Sequence, residues 1–293
     1  MSIPIDTKCI QCHMNRNLEL VRTLGTEEQA MDFARALMKL YLEAPDGVGS
    51  PWFGPGAADL LQELYGLPID RFREEKAFSN RFVLERMDQI RQKVETAPDP
   101  VFAGLQFAIL GNYLDFAALQ GRVSFEKLDE MLDKGLEMEL DTETYRNLCK
   151  DLEAGRRLLY LTDNAGEIGF DRIFAEQIAK KYPHLSITFC VRGAVAQNDA
   201  TREDAVAVGI PFPVIDNGNR IAGTQLNLLG DEARQAMDSA DVIIAKGMGN
   251  TETMFGCGYN VYYAFLIKCQ RFVAEFGREM FTPMLVRDSG FTG

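Results

Sequence analysis

The sequence predicts an α/β fold in which a helical N-terminal region precedes a mostly parallel β-sheet. In residues 1–155, apolar side chains recur three and four positions apart, which is the periodicity of amphipathic helices. From residue 157 onward, short apolar runs alternate with helix-like stretches, a pattern typical of parallel strands joined by helices. Polar residues follow three of these runs, so the carboxyl end of the predicted sheet should carry the functional side chains.

The helical half consists of amphipathic segments separated by short loops. The first has apolar residues at positions 30, 33, 34, 37, 38, 40 and 41, all on one helical face. A Gly/Pro-rich loop at 47–56 contains the only tryptophan, Trp52, and Pro98 ends the longest helix. The predicted helices span residues 27–42, 57–65, 70–96, 102–120, 125–136 and 142–154.

The second half reads as alternating strands and helices. The predicted strands lie near residues 157–162, 186–191, 212–215 and 241–245, with a late candidate at 284–288. A helix over residues 168–181 follows the first strand. No Pro/Ser-rich linker separates the two halves of the chain.

Composition and charge limit the classes of function. Of 293 residues, 46% are hydrophobic and 25% are charged, as in globular proteins. No apolar run reaches the length of a membrane span, and the N-terminus lacks the apolar region of a signal peptide. We therefore expect a cytoplasmic protein with no membrane partner. The net charge of −12 argues against a nucleic-acid partner. The sequence does not predict the oligomeric state.

Only two of the six cysteines form a motif, Cys9 and Cys12. Cytosolic thiols are normally reduced, so a disulfide framework is not expected. A zinc site needs four ligands, and although His13 is adjacent, the chain has no second CxxC. The motif is consistent with packing at a helix start, or with metal or redox chemistry.

Oxygen-bearing side chains follow two of the predicted strands. Asp163 and Asn164 come directly after the first apolar run, and Asp199 follows the second. Their oxygens suit a hard divalent cation, and parallel strand ends meet at one rim. The alternative is that residues 163–166 form an ordinary turn with a helix cap.

The third run ends in residues suited to an anion. Lys246 follows it directly, with Gly247, Gly249 and Asn250 behind, and Arg192 ends the second run. We expect the Lys246 ammonium to emerge at the rim, while the glycines let backbone N–H groups approach phosphate oxygens. These residues, with Arg192 as a second cation, predict a phosphate site.

Three further polar residues each allow a structural and a functional interpretation. Asn112 and Asp115 lie three apart on one face of an otherwise apolar predicted helix, either as a packing network or as part of the site. Glu167, one turn from Asp163, could orient a water or bind a sugar hydroxyl. It could instead be a first-turn acid that stabilises the helix dipole.

Five segments, taken in order, make the chain resemble the DUF89 family of metal-dependent damage-control phosphatases along nearly its whole length. They are residues 8–12, 111–116, 163–167, 198–201 and 246–250. The CxxC opening is similar to that of the prokaryotic branch. The resemblance implies a three-layer α/β/α, Rossmann-like core with a helical N-terminal region, a divalent metal, and hydrolysis of phosphate esters.

The resemblance also implies how the two halves cooperate. Residues 1–155 would roof the site and residues 156–293 would form the metal- and phosphate-binding core, as one catalytic unit. Asn112 would contact the substrate, and Asp115 would lie close to the metal or the substrate.

The predicted function is that of a metal-dependent phosphoric monoester hydrolase acting on small phosphorylated metabolites, either sugar phosphates or damaged phospho-metabolites. Mg, Mn, Co and Ni all accept oxygen ligands. Asp163 would act as a nucleophile, or as a ligand of a metal whose bound water attacks.

Two alternatives stay open. One is a nucleotide-binding Rossmann-like protein, although Glu252 stands where the third glycine of that fingerprint belongs. The other is a non-catalytic metabolite binder.

Overall fold

The computed structural model describes residues 2–113, 130 and 132–292. Within them, helices form the first half and alternate with strands in the second. The helices are α1 (Thr7–Leu24), α2 (Glu27–Glu43), α3 (Gly54–Tyr65), α4 (Arg73–Glu95), α5 (Pro100–Leu110), α6 (Thr142–Ala154), α7 (Glu167–Lys181), α8 (Arg202–Ala207), α9 (Asp231–Ser239), α10 (Gly247–Met254) and α11 (Gln270–Phe276). The strands are β1 (Arg157–Leu161), β2 (Ser186–Val191), β3 (Val214–Asp216), β4 (Val242–Lys246), β5 (Val261–Leu266) and β6 (Pro283–Arg287).

The strands form one sheet in the order β3-β2-β1-β4-β5-β6. All neighbouring pairs are parallel except β5 and β6, which are antiparallel. The chain leaves β1 toward β2 on one side and later returns to place β4 on the other side. In such sheets the crevice beyond the carboxyl ends of the two central strands is the usual ligand site.

Helices cover both faces of the sheet, which confirms the three-layer α/β/α prediction. On one face, Leu158 and Tyr160 of β1 pack with side chains of α5, α6 and α7. On the other, Leu159 and Leu161 pack with side chains of α9 and α11. Alternate residues of one strand therefore enter two different cores, as the two-residue period of a strand requires.

The helical half joins the sheet through α4 and α5. Side chains of α4 and α5 share a core with Phe170 and Ile173 of α7. A Cβ on Gly104 of α5 would lie 3.0 Å from the Cα of Phe174, so the backbones of α5 and α7 approach closely there. Helices α1, α2 and α3 form a smaller core of their own around Phe33, Leu37 and Leu61.

Most predicted elements are present, but helices α8, α9, α10 and α11, which fit the expected alternation of strands and helices, were given no predicted range. The five predicted strands correspond to β1, β2, β3, β4 and β6. Strand β5 and helix α1 were missed. Half of the predicted helix 125–136, and residues 114–120 of the predicted helix 102–120, lie outside the described residues. Among the helices that are described, none combines the length and apolar character needed to cross a bilayer.

Candidate active site

The segments that follow β1 and β2 are held together at the carboxyl end of the sheet. Asn164 and Asp199 form an isolated antiparallel β-bridge. Beside it, the Ala165 N–H donates to the Asn198 carbonyl (2.9 Å) and the Ala200 N–H donates to the Asp163 carbonyl (2.7 Å). These backbone bonds bring together the three residues that the sequence predicts as metal ligands.

Two side-chain amides and two carboxylates form a closed hydrogen-bonded ring above β1. The Asn112 amide donates to Asp163 Oδ2 (3.0 Å) and to Glu167 Oε2 (2.8 Å). The Asn164 amide donates to the same two oxygens, at 2.8 and 3.0 Å. The Asn164 oxygen accepts from Asn198 (2.9 Å). Asn112 Oδ1 is buried and has no hydrogen-bond partner among the described residues.

A buried arginine holds Asp199 and the chain around it. Arg192, only 1% exposed, donates from Nε to Asp199 Oδ2 (2.6 Å). Its other nitrogens donate to Asn250 Oδ1 (3.2 Å) and to the Thr162 carbonyl (3.1 Å). The Asn250 amide in turn donates to the Thr162 and Lys246 carbonyls, at 3.0 and 2.7 Å. Arg192 and Asn250 therefore link β1, β2 and β4 beneath the rim.

Lys246 points into the protein and not toward the rim, contrary to the prediction that its ammonium emerges there. Its side chain is fully buried, and Nζ donates to the Ala108 carbonyl, Glu167 Oε1 and Asp171 Oδ1, each at 2.7 Å. An ammonium has three donors, so this geometry uses all of them. Tyr160 donates a further hydrogen bond to Asp171 (2.8 Å).

The site carries more negative than positive charge. Four buried carboxylates, Asp163, Glu167, Asp171 and Asp199, face two buried cations, Lys246 and Arg192. Burial raises the pKa of Asp163 well above its ordinary value, and the charges of Glu167 and Asp199 raise it further. The half-buried Lys268, just after β5, lies near enough to oppose that rise. Burial also raises the pKa of Asp171 to about 7, against the attraction of Lys246.

Two glycines let backbone approach the site at distances that no side chain permits. A Cβ on Gly247 would lie 2.0 Å from Asp163 Oδ2, and this residue has a φ of 76°. The Asp163 carboxylate thus rests on the first residue of α10. A Cβ on Gly166 would lie 2.7 Å from the Cβ of Ser79 in α4. Next to Ser79, Asn80 accepts a hydrogen bond from the Gly166 N–H (2.7 Å).

The structure brings together all but one of the predicted site residues. Asp115 lies outside the described residues, so its predicted position stays a prediction. Sequence reasoning assigned no role to Asp171, Asn198 or Lys268. Asp171 could have been found, because it lies one turn after Glu167 on the same helix face, with only Ile168, Gly169 and Phe170 between them. Lys268 was missed together with β5.

No group of three or more His, Cys, Asp or Glu side chains in the described ranges is arranged to hold a metal ion. The predicted ligand set contains two carboxylates and one amide. For Cys9, the structure favours the helix-start reading: its N–H donates to Asp6, the N-cap of α1 (3.0 Å), and its thiol is buried. Burial raises the pKa of that thiol to about 11.

A cleft of about 590 Å³ opens beside the site, between α4, α8 and the loop after β2. Arg192 and Gly193 form part of its wall on the sheet side, while Lys76 and Asn80 of α4 face them. Lys76 is paired with Asp204 at 2.7 Å. Residues from both halves of the chain therefore line the space next to the rim.

Comparison with known proteins identifies relatives over nearly the full chain. Residues 5–282 match the model of the damage-control phosphatase ARMT1-like domain. A damage-control phosphatase of Pyrococcus horikoshii is 32% identical over 256 residues, which are 85% of this chain and 86% of that protein. A damage-control phosphatase of Archaeoglobus fulgidus is 31% identical over 224 residues, covering 74% of this chain and 75% of that one.

Two further matches extend over the whole length. An uncharacterised protein of Methanocaldococcus jannaschii is 29% identical over 300 residues, covering 98% of this chain and 96% of its own. The crystal structure of a DUF89 family protein from Pyrococcus horikoshii superimposes with a TM-score of 0.82 at 25% identity, covering 99% of this chain and 100% of that one.

Proposed function

The chain belongs to the damage-control phosphatase ARMT1-like (DUF89) family, and from this membership we propose that it is a metal-dependent phosphatase of small phosphorylated metabolites. Sugar phosphates and damaged phospho-metabolites are the substrate classes we propose.

The observation that supports metal dependence most strongly is the charge excess at the rim. Asp163 and Asp199 are buried beside Glu167, and burial raises the pKa of Asp163, with the charges of Glu167 and Asp199 raising it further. A divalent cation would offset this excess of two negative charges, because buried carboxylates are stable only when paired or metal-bound. The unpartnered Asn112 Oδ1 adds a buried acceptor at the same place.

We assign the metal to Asp163, Asn164 and Asp199, since hard oxygen donors suit Mg, Mn, Co or Ni. When bound, such an ion neutralises phosphate charge and lowers the pKa of a coordinated water. The amide of Asn164 now donates to Asp163 and Glu167. Its oxygen accepts from Asn198 and keeps a second lone pair with which it can bind a metal.

The protein's own groups would position the reaction. Glu167 lies next to Asp163 and is held by Lys246 through Oε1. Its Oε2 now accepts from Asn112 and Asn164, and one of these amides must turn away before Oε2 orients a water or a substrate hydroxyl. The α10 N-terminus, starting at Gly247, directs its backbone dipole toward the rim and favours phosphate there. Lys246 and Asn250 are saturated with internal bonds, and Arg192 is buried with all three of its nitrogens bonded internally. We therefore propose that these residues orient Glu167 and Asp199 and do not contact phosphate directly.

The proposal is tested by phosphate release from p-nitrophenyl phosphate with Mg²⁺, Mn²⁺, Co²⁺ or Ni²⁺, and with chelator as the control. Asp163→Asn keeps the size of the side chain and should lower kcat/KM by more than about 100-fold, an effect typical of losing one preorganised charged group. Calorimetric titration of the metal should show weakened binding in the same variant. Activity above a tenth of wild type would rule out the role of Asp163. Ligand binding without turnover in the wild type would favour the metabolite-binder alternative.

A further inference from the structure

A second, smaller cavity lies next to the rim and is lined by cations. It sits between α1, the start of α3 and the loops after β2 and β3, and its volume is about 50 Å³. That is room for roughly four water-sized atoms, the number of oxygens in a phosphate group. Its charged and titratable lining residues are His13, Arg16, Arg71 and Arg220, and no carboxylate is among the described residues that line it.

Two of these arginines lack a counter-charge. Arg16, at the cavity mouth, and the half-buried Arg71 form no ion pair with any described residue, whereas Arg220 is paired with Asp59. Arg71 instead lies over the ring of Phe72, 4.8 Å from its centroid. Uncompensated arginines that share one cavity are unusual in a chain with a net charge of −12, since surplus acids are available to pair with them.

The positive charge in this cavity also affects the pKa of the neighbouring His13 imidazole. Burial, and after it the charge of Arg16, lowers the pKa of His13 to about 4. Its Nε2 shares a hydrogen bond with Ser50 (3.0 Å), while the buried Nδ1 has no partner among the described residues. Burial and Arg16 also lower the pKa of Arg71. An anion in this cavity would relieve the repulsion between Arg16 and Arg71 and would favour the protonated form of His13.

The cavity and the rim share one turn of the chain. Ala196 and Gln197 line the cavity, and the Asp199 N–H donates to the Ala196 carbonyl (3.0 Å). Gln197 and Asp199 are two residues apart, so their Cα atoms are at most about 7.6 Å apart. Gln197 has a φ of 52°, a conformation that few residues other than glycine adopt. The turn thus places an anion in the cavity within reach of a molecule bound at the rim.

We propose that this cavity is a second anion subsite, in which Arg16 and Arg71 bind a phosphate or carboxylate group of the substrate other than the phosphate that is hydrolysed. This inference rests on the proposed phosphatase function and narrows it to substrates with two anionic ends. Guanidinium groups suit both anions, because their planar forks match the oxygen geometry of each.

The kinetic test uses substrates that differ only at the distal end. Monophosphates of linear diols with four to eight carbons are compared with the corresponding bisphosphates and with ω-carboxylates of equal length. At the matching length, kcat/KM for one dianionic series should exceed that of the monophosphate by at least about tenfold, the effect of one charged hydrogen bond. The better series identifies the anion as phosphate or carboxylate. The double variant Arg16→Gln/Arg71→Gln should lower this ratio to below about three, and the control Arg146→Gln, an exposed arginine outside the cavity, should keep it.

A binding measurement tests the subsite independently of the phosphatase function. The chain has two histidines, so NMR can follow His13 once His184→Gln assigns the other signal. Replacing chloride by sulfate at constant ionic strength should raise the pKa of His13 above about 4, and should not do so in the double arginine variant. If no phosphate ester is hydrolysed, the phosphatase function fails while this measurement still tests the subsite. The subsite proposal would be overturned if kcat/KM were the same for the dianionic substrates and the monophosphates at every chain length. It would also be overturned if sulfate left the pKa of His13 unchanged.

Discussion

Lys246 shows how one buried charge joins three elements of the fold. Its ammonium, at the end of β4, bonds to two carboxylates of α7 and to a carbonyl of α5. Removing one partner of such a group leaves uncompensated charges buried in the protein interior, which costs more than the pair itself contributes. Lys246 therefore stabilises the packing of α5 and α7 on the sheet, as well as the position of Glu167.

We expect Lys246→Met to lower the free energy of unfolding by about 3–5 kcal/mol, because Glu167 and Asp171 lose their common counter-ion. Urea unfolding measures the change. The control Lys39→Met removes an exposed pair with Glu43 and should cost less than about 1 kcal/mol. A Lys246→Met protein of normal stability but weakened phosphate binding would support the original prediction that Lys246 is a phosphate ligand.

Glu252 of α10 should make the protein less stable as the pH rises. Burial raises its pKa from 4.5 to about 8, although the charge of Arg271 opposes the rise. Between these two values the folded protein holds a proton that the unfolded chain releases, so stability is full below about pH 4.5 and falls as the pH approaches 8. The side chain of Glu252→Gln cannot titrate. The melting temperature of the wild type should therefore fall relative to that of the variant from pH 5 to pH 8. A constant difference over this range would contradict the prediction.

At the residue scale, the sequence predicted which residues form the site better than it predicted where they point. Asp163, Asn164 and Asp199 could be found because each follows an apolar run that ends abruptly. The inward direction of Lys246 could not, since two of its partners, Ala108 and Asp171, come from helices distant along the chain. The hydrogen bond from Asn198 to the oxygen of Asn164 could not be predicted either, because it depends on the β-bridge between the two loops.

At the junction of β4 and α10, the site requires a residue without a side chain, and that residue is Gly247. Gly247→Ala would place a methyl group 2.0 Å from an Asp163 oxygen, so the carboxylate must move. We expect phosphatase activity to fall by about 100-fold or more, since displacement of a reacting group by about 1 Å has effects of this size.

Gly277→Ala is the matched control for this prediction. Gly277 ends α11 with a φ of 61° and has nothing within 4 Å of an added Cβ. Both variants therefore carry similar backbone strain, but only Gly247→Ala disturbs Asp163. Equal activity losses in the two would mean that strain, and not the contact with Asp163, is responsible.

At the element scale, prediction succeeded where a segment has a clear period and clear ends. Helix α4 was expected over 70–96 and spans Arg73–Glu95, with Pro98 just beyond it. Strand β5 was missed although its six residues are all apolar and buried. A short apolar run without alternation is typical of a buried strand and of a buried helix alike. Only the pairing of residues 261–266 with β4 and β6 shows that they form a strand.

On the scale of the whole molecule, the helical half and the sheet share apolar surface and the site. Asn112, just after α5, donates to both Asp163 and Glu167, and Asn80 of α4 fixes the Gly166 backbone. The predicted role of residues 1–155 as a roof over the core is thus open to a direct test. We expect residues 156–293 expressed alone to be insoluble or inactive, because the face covered by α5 would be exposed at about 25 cal/mol per Å² of apolar surface.

Solubility and phosphate release of the fragment are the measurements. Asn112→Ala in the full chain is the companion variant, which should keep the fold and lose turnover. A soluble, active fragment would show that the two halves are separate units. The fold class and the order of the two halves could be predicted because periodicity changes once, at residue 157. The contacts between the halves could not, as they depend on how α4 and α5 lie across α7.

Helix α5 has a further consequence, which concerns how the chain is made. Nine of its eleven residues are buried, so it has no face suited to water. Its main partner, α7, ends about 70 residues after α5 ends, and synthesis at roughly 5–20 residues per second takes roughly 4–14 s to complete it. During translation α5 leaves the ribosome as an apolar segment without its cover. The nascent chain is therefore most exposed to aggregation, and most in need of a chaperone, in the interval between completion of α5 and completion of α7.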